Sequence, residues 1–124
     1  MGIYSNSKLV MLYFQTGDGV NDGADEGYAA PLKNFRGFRF IADTDAIEMQ
    51  FDSMLGTGAD IAAVDKVVLN ITAEKQHLVI ADITAAINGT KHGDGFVTIV
   101  DDAQGIKVSD HITSCGAITV TAAA

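Results

Sequence analysis

Apolar and polar side chains alternate most cleanly over residues 47–52. Ile47, Met49 and Phe51 point one way there, and Glu48, Gln50 and Asp52 the other. A period of two predicts a half-buried strand with one face on a core and one in water, as in an antiparallel sheet. The same rhythm recurs at 65–71, with Val67, Leu69 and Ile71 inward and Lys66, Val68 and Asn70 outward. Around Arg39, Phe38 and Phe40 alternate and Ile41 follows, predicting a strand that ends near Asp43. The short polar stretch 43–45 can join it to 47–52 as a hairpin. Residues 9–14 form a continuous apolar run. That run is either a strand buried on both faces or an N-terminal strand completing a neighbour's sheet.

Residues 73–88 change period. Val79, Ile80, Ile83, Ala86 and Ile87 fall on one helical face. Thr72 reads as the N-cap, Glu74 as a first-turn carboxylate, and Gly89 as the left-handed residue past the end. Strands are predicted at 96–101, 106–108 and 117–121, with 102–105 a hairpin loop. Ile118 and Val120 share one face of the last. Residues 53–60 and 89–95 read as connections. Residues 15–34 follow no period and hold Gly17, Gly19, Gly23 and Gly27 among Asp18, Asp22, Asp25 and Glu26. They predict a long polar loop, so that 1–34 becomes a strand plus an arm contacting neighbouring subunits. The expected fold is a single α+β domain over 1–124. It has a mostly antiparallel or mixed β-sheet of about six or seven strands and one helix packed on one face. The segment 65–101 would be a parallel crossover if its two strands are sheet neighbours.

Composition narrows the function. The 124 residues carry 16 acidic and 8 basic side chains, a formal charge of −8. That balance repels phosphate backbones and anionic lipid, so neither nucleic acid nor membrane is an expected partner. One cysteine excludes an internal disulfide framework. The first residues hold no basic stretch followed by a long apolar run, so no targeting segment is expected. Hydrophobic residues make up 48% of the chain and charged ones 19%, below the roughly 25% usual in soluble domains. Part of that apolar excess is expected to be covered by neighbouring subunits. Candidate contact residues are Leu9, Met11, Tyr13 and Phe14 in the first strand and Arg36, Phe38, Arg39 and Phe40 in the second. Arg36 and Arg39 either lie on a solvated strand edge or pair with an acidic neighbour, such as the loop of the next subunit.

No constellation for catalysis or cofactor binding emerges. Asp18, Asp22, Asp25 and Glu26 offer hard oxygen ligands for calcium, but the EF-hand spacing fails at Val20. His92, His111 and Cys115 make an incomplete zinc set, His77 reads as a helix-surface residue, and Cys115 as a small core or interface residue. The segment 89–95 lacks a P-loop's Gly-Lys-Ser/Thr ending, and Asp22 stands where a dinucleotide fingerprint needs its third glycine. The expectation is therefore no enzyme, no cofactor and no firm metal site. Segments 65–72, 94–102 and 110–120, with the helix between the first two, resemble small virion structural proteins of marine tailed bacteriophages, cyanophage-like podoviruses especially. The resemblance implies a capsid decoration (cement) or other accessory shell subunit. Such a subunit is assembled in the host cytoplasm, carried in the virion, often trimeric, and bound to major capsid or other virion proteins. The other reading is a small binding module that recognises sugar or protein through the acidic loop 17–27, with or without calcium.

Overall fold

The alternation at 65–71 is realised as a strand with one addition: Asp65 has the same parity as Val67, Leu69 and Ile71, and it too is fully buried. The computed structural model describes residues 10–17, 26–41, 44–53, 64–89 and 95–120. Within them lie β1 (Met11–Gln15), β2 (Gly27–Pro31), a 3-10 turn (Leu32–Asn34), β3 (Phe35–Phe40), β4 (Ala46–Asp52), β5 (Val64–Ile71), α1 (Gln76–Gly89), β6 (Phe96–Asp101), β7 (Ile106–Lys107) and β8 (Ile112–Thr119). The fold is α+β and mostly β, as expected, with its eight strands divided between two four-stranded sheets. Sheet A runs β2-β1-β6-β7 and sheet B runs β3-β4-β5-β8. Sheet B is antiparallel throughout. In sheet A, β1 pairs antiparallel with β2 and parallel with β6.

The two sheets share one core. Leu12, Phe14, Tyr28 and Ala30 of sheet A meet Ile47, Met49, Phe51, Val67 and Leu69 of sheet B. Aromatic rings line the seam. Phe51 lies 5.8 Å from Phe14, 5.4 Å from Tyr28 and 5.3 Å from Phe35, centroid to centroid. Tilted and edge-on pairs of this kind add about 0.5–1.5 kcal/mol each beyond their burial. One directional bond crosses the same gap: the Tyr28 hydroxyl donates to Asp65 Oδ2 at 2.8 Å. A second tie runs from the β6–β7 turn to sheet B, where Asp102 Oδ2 accepts the Cys115 backbone N–H at 2.8 Å.

Helix α1 packs beside β6 and sends Val79 and Ile83 into the shared core, with Ile80, Ala86 and Ile87 at its margin. The predicted stripe is thus the buried stripe. Ser109, buried between β7 and β8, donates to Asp82 Oδ2 at 2.6 Å and fastens the helix to the sheets.

Five local expectations change. First, the 15–34 loop contains β2 and the 3-10 turn, because Tyr28 and Ala30 have a core to enter that a short Gly-Ala stretch does not advertise. Second, the two strands flanking the helix sit in different sheets, so 65–101 is no parallel crossover; β6 takes β1 as its parallel neighbour instead. Third, the helix starts at Gln76. Residues 72–75 form a turn in which Lys75 N bonds to Thr72 O and Glu74 adopts a φ of 65°, so neither Thr72 nor Glu74 serves the helix terminus. Fourth, Gly89 is the last helical residue and is not left-handed. Fifth, the final strand begins at Ile112. Two register shifts against β5 turn Ile112, Cys115 and Ile118 inward at intervals of three, which hides the strand from a period-two search. Gly116 lies at one shift, where a Cβ would crowd Val68, 3.0 Å from its Cγ1 and 3.1 Å from its O. The hairpin loop 102–105 is confirmed, with Gly105 at a φ of 71°. The turn residues 54–60 and the connecting residues 90–94 lie outside the described residues.

Tyr28→Phe keeps the ring packing and removes the donor to Asp65. It should cost about 0.5–1.5 kcal/mol in urea unfolding, the net range for one intramolecular hydrogen bond. An unchanged midpoint would mean that the inter-sheet hydrogen bond contributes nothing.

Candidate interaction surface

The outward-facing residues of the two sheets differ in chemistry. On sheet B, the register sets Arg39 opposite Glu48, Glu48 opposite Val68, and Gln50 opposite Lys66. Glu48 is buried, and its carboxylate accepts from Arg39 Nε at 3.1 Å, from Arg39 Nη2 at 3.4 Å and from the Gln50 amide. Burial alone would raise its pKa. The hydrogen bonds from Arg39 and Gln50 and the charges of Arg39 and Lys66 outweigh that, holding it below its ordinary value. Arg36 reaches Asp52 at 3.6 Å, with both side chains well exposed. Both arginines therefore have carboxylate partners within their own sheet, rather than depending on a neighbour's loop.

Sheet A presents a different outer face. Leu12 and Phe14 turn inward and are fully buried, so Met11 and Tyr13 face out. The register then lays two rows across three strands, Pro31–Met11–Phe96 and Ala29–Tyr13–Thr98. None of these six side chains carries a charge. Five are partly exposed and Phe96 is 49% exposed, so no element among the described residues closes over them. The Tyr13 and Phe96 rings touch at a centroid distance of 5.6 Å. Below them, Tyr13 donates to Gln15 Oε1 at 2.6 Å. Burial and the nearby Asp101 charge push the Tyr13 phenol up, which keeps it a neutral donor.

The expected contact residues separate accordingly. Met11 and Tyr13 lie on the uncharged face. Phe14 is core and has no surface to offer. Phe38 is half-buried beside Phe35 at 5.1 Å, while Phe40 is 58% exposed at the end of β3. Leu9 lies outside the described residues, as do Asp18, Asp22 and Asp25 of the calcium candidates and His92 of the zinc set. Glu26 stands just before β2, where its backbone carbonyl accepts from Thr16. No group of three metal-ligating side chains occurs among the described residues. The sequence reading missed Ala29, Pro31, Phe96 and Thr98. Ala29 and Pro31 join the face through the β1–β2 pairing and Phe96 and Thr98 through the β1–β6 pairing, and neither pairing has a local signal.

The remaining reactive group is inert. Cys115 is buried, and burial first, then the Asp102 charge, pushes its thiol up to about 12. It is a protonated core residue at neutral pH, not a nucleophile. His77 is exposed on α1, and the backbone carbonyl of His111 accepts the Thr72 N–H. No helix among the described residues is long and apolar enough to cross a membrane. No family model, curated protein or solved structure matches the chain.

Two measurements test these electrostatics. A carboxylate whose folded pKa is depressed stabilises fully above its unfolded value and loses that contribution as pH falls through the folded value. The stability gap between the wild type and Glu48→Gln should therefore be widest near neutrality and shrink in acid. A gap independent of pH would contradict the assignment. Cys115 should react with an aromatic disulfide reagent only on unfolding; rapid labelling of the native protein at neutral pH would contradict its burial.

Proposed function

We propose that the chain is a structural subunit that acts by adhesion, an accessory or decoration protein of a bacteriophage particle bound to its major capsid or other virion proteins. One observation carries this reading: two uncharged rows across β2, β1 and β6, Pro31–Met11–Phe96 and Ala29–Tyr13–Thr98, in a chain of net charge −8. Six adjacent uncharged side chains, five of them apolar, on three adjoining strands are what a contact surface needs at its centre, where charge is depleted. The resemblance of 65–72, 94–102 and 110–120 to phage virion proteins supplies the type of assembly. Stabilisation of the particle follows by mass action, since a subunit that binds only the assembled shell favours that state.

The buried groups support the same reading. Asp65 and Glu48 are held by structural partners, and Cys115 is protonated. Each is committed to packing or pairing.

Mass spectrometry of purified particles from an infected host tests the proposal. The expected result is the chain in many copies per particle, with density of its size at a repeated position in the imaged shell. Its absence from particles, with the protein free in the lysate, would overturn the proposal.

A further inference from the structure

We propose that Asn88 is a self-modification site, whose side-chain amide is displaced by the Gly89 backbone nitrogen to leave aspartate and isoaspartate at the end of α1. The reaction needs an asparagine followed by a residue whose backbone nitrogen can reach the side-chain carbonyl. Glycine serves best, having no Cβ to block the approach and the widest choice of backbone angles. Of the five asparagines in the chain, only Asn88 precedes a glycine.

The fold leaves this pair open to the reaction. Asn88 and Gly89 are the last two residues of α1, and both are exposed. Apart from its chain neighbours and the helix backbone, nothing lies within 4 Å of the place a Cβ on Gly89 would occupy. In a helix interior the backbone would hold the Gly89 N–H away from the side chain. At a helix terminus that hold is weak, since end turns fray at almost no cost in free energy. The anchors of α1 lie further back, where Val79 and Ile83 are buried and Ser109 donates to Asp82. Two other asparagines are placed differently. Asn70 lies in β5, precedes the branched Ile71 and donates from Nδ2 to Ser114 Oγ at 3.0 Å. Asn34 ends the 3-10 turn and precedes Phe35.

The steps balance with water as the only co-reactant. The Gly89 nitrogen loses its proton to solvent and attacks Asn88 Cγ. The N–Cγ bond forms as the Cγ–Nδ2 bond breaks, and the side-chain nitrogen departs as ammonia. A succinimide ring remains. Water adds to one of its carbonyls and reopens it, giving aspartate, or isoaspartate with the main chain running through the side-chain carboxyl carbon. Nothing is oxidised or reduced. Either product adds one negative charge to a chain of net charge −8. That charge falls beside the free carbonyls of the last helical turn, which holds no basic side chain to offset it. Conversion therefore works against the end of α1.

Peptide mapping by mass spectrometry, on the full chain kept folded in mildly alkaline buffer, tests this. Asn88 should convert to a mixture of aspartate and isoaspartate, faster as pH rises, while Asn34 and Asn70 stay intact. Gly89→Ala should slow the conversion about tenfold or more, because a Cβ crowds ring closure and alanine tightens the helix end. Gly89 is helical with room for a methyl group, so this variant should fold as the wild type does. An Asn88 that stays intact or outlasts Asn34 or Asn70 overturns the inference. So does conversion as fast in Gly89→Ala as in the wild type.

Discussion

Aromatic packing brings the two sheets together, but rings alone are tolerant of sliding. The bond from the Tyr28 hydroxyl to Asp65 is not. Asp65 sits fully buried on the inner face of β5, directly across from Phe51, and Tyr28 reaches it from the other sheet. An uncompensated carboxylate in that position would cost several kcal/mol. Arrangements of the sheets that separate the pair lose this bond, which favours the observed register. The Tyr28 phenol is correspondingly pushed up by burial, then by its bond to and the charge of Asp65.

Which side chains face outward follows from that seam. With Leu12, Phe14, Tyr28 and Ala30 committed to the core, the alternation in β1 and β2 leaves Met11, Tyr13, Ala29 and Pro31 outside. Sheet B's outer face is occupied by Arg39, Glu48, Gln50 and Lys66, which satisfy one another. The strand edges are blunted. β2 is five residues long and ends in Pro31, β7 has two residues, β3 carries Arg36 and Arg39 around a register shift, and β8 carries two shifts. Such edges resist pairing with another chain. The two uncharged rows lie on a face instead, that of sheet A.

Much of this was legible before the structure. The inner positions of β4 and β5, the buried stripe of α1, the hairpin at 102–105 and the α+β class all follow from local period. What escaped was non-local. β2 is a Gly-Tyr-Ala-Ala-Pro strand whose apolar content is slight; its burial depends on β1 beside it and Phe51 across from it. The first half of β8 is hidden because bulges turn a period of two into a spacing of three. Phe14 reads as a candidate contact residue because a continuous apolar run does not say which parity faces in. The sequence leaves Arg36 and Arg39 open between a solvated edge and an acidic neighbour because cross-strand register, which supplies Asp52 and Glu48, is invisible in one dimension. Two of the six side chains in the uncharged rows, Met11 and Tyr13, are legible in the sequence as candidate contact residues. The other four need the pairing of β1 with β2 and, some eighty residues away, with β6.

Amide and methyl NMR shifts, followed as the major capsid protein is added, ask the protein directly which of its surfaces meets another molecule. If the account is right, the resonances of Met11, Tyr13, Ala29, Phe96 and Thr98 move together as the partner is added, while those of Gln50, Lys66 and Asn70 on the opposite sheet stay still. Movement confined to the outer face of sheet B, with the first set unchanged, would contradict it.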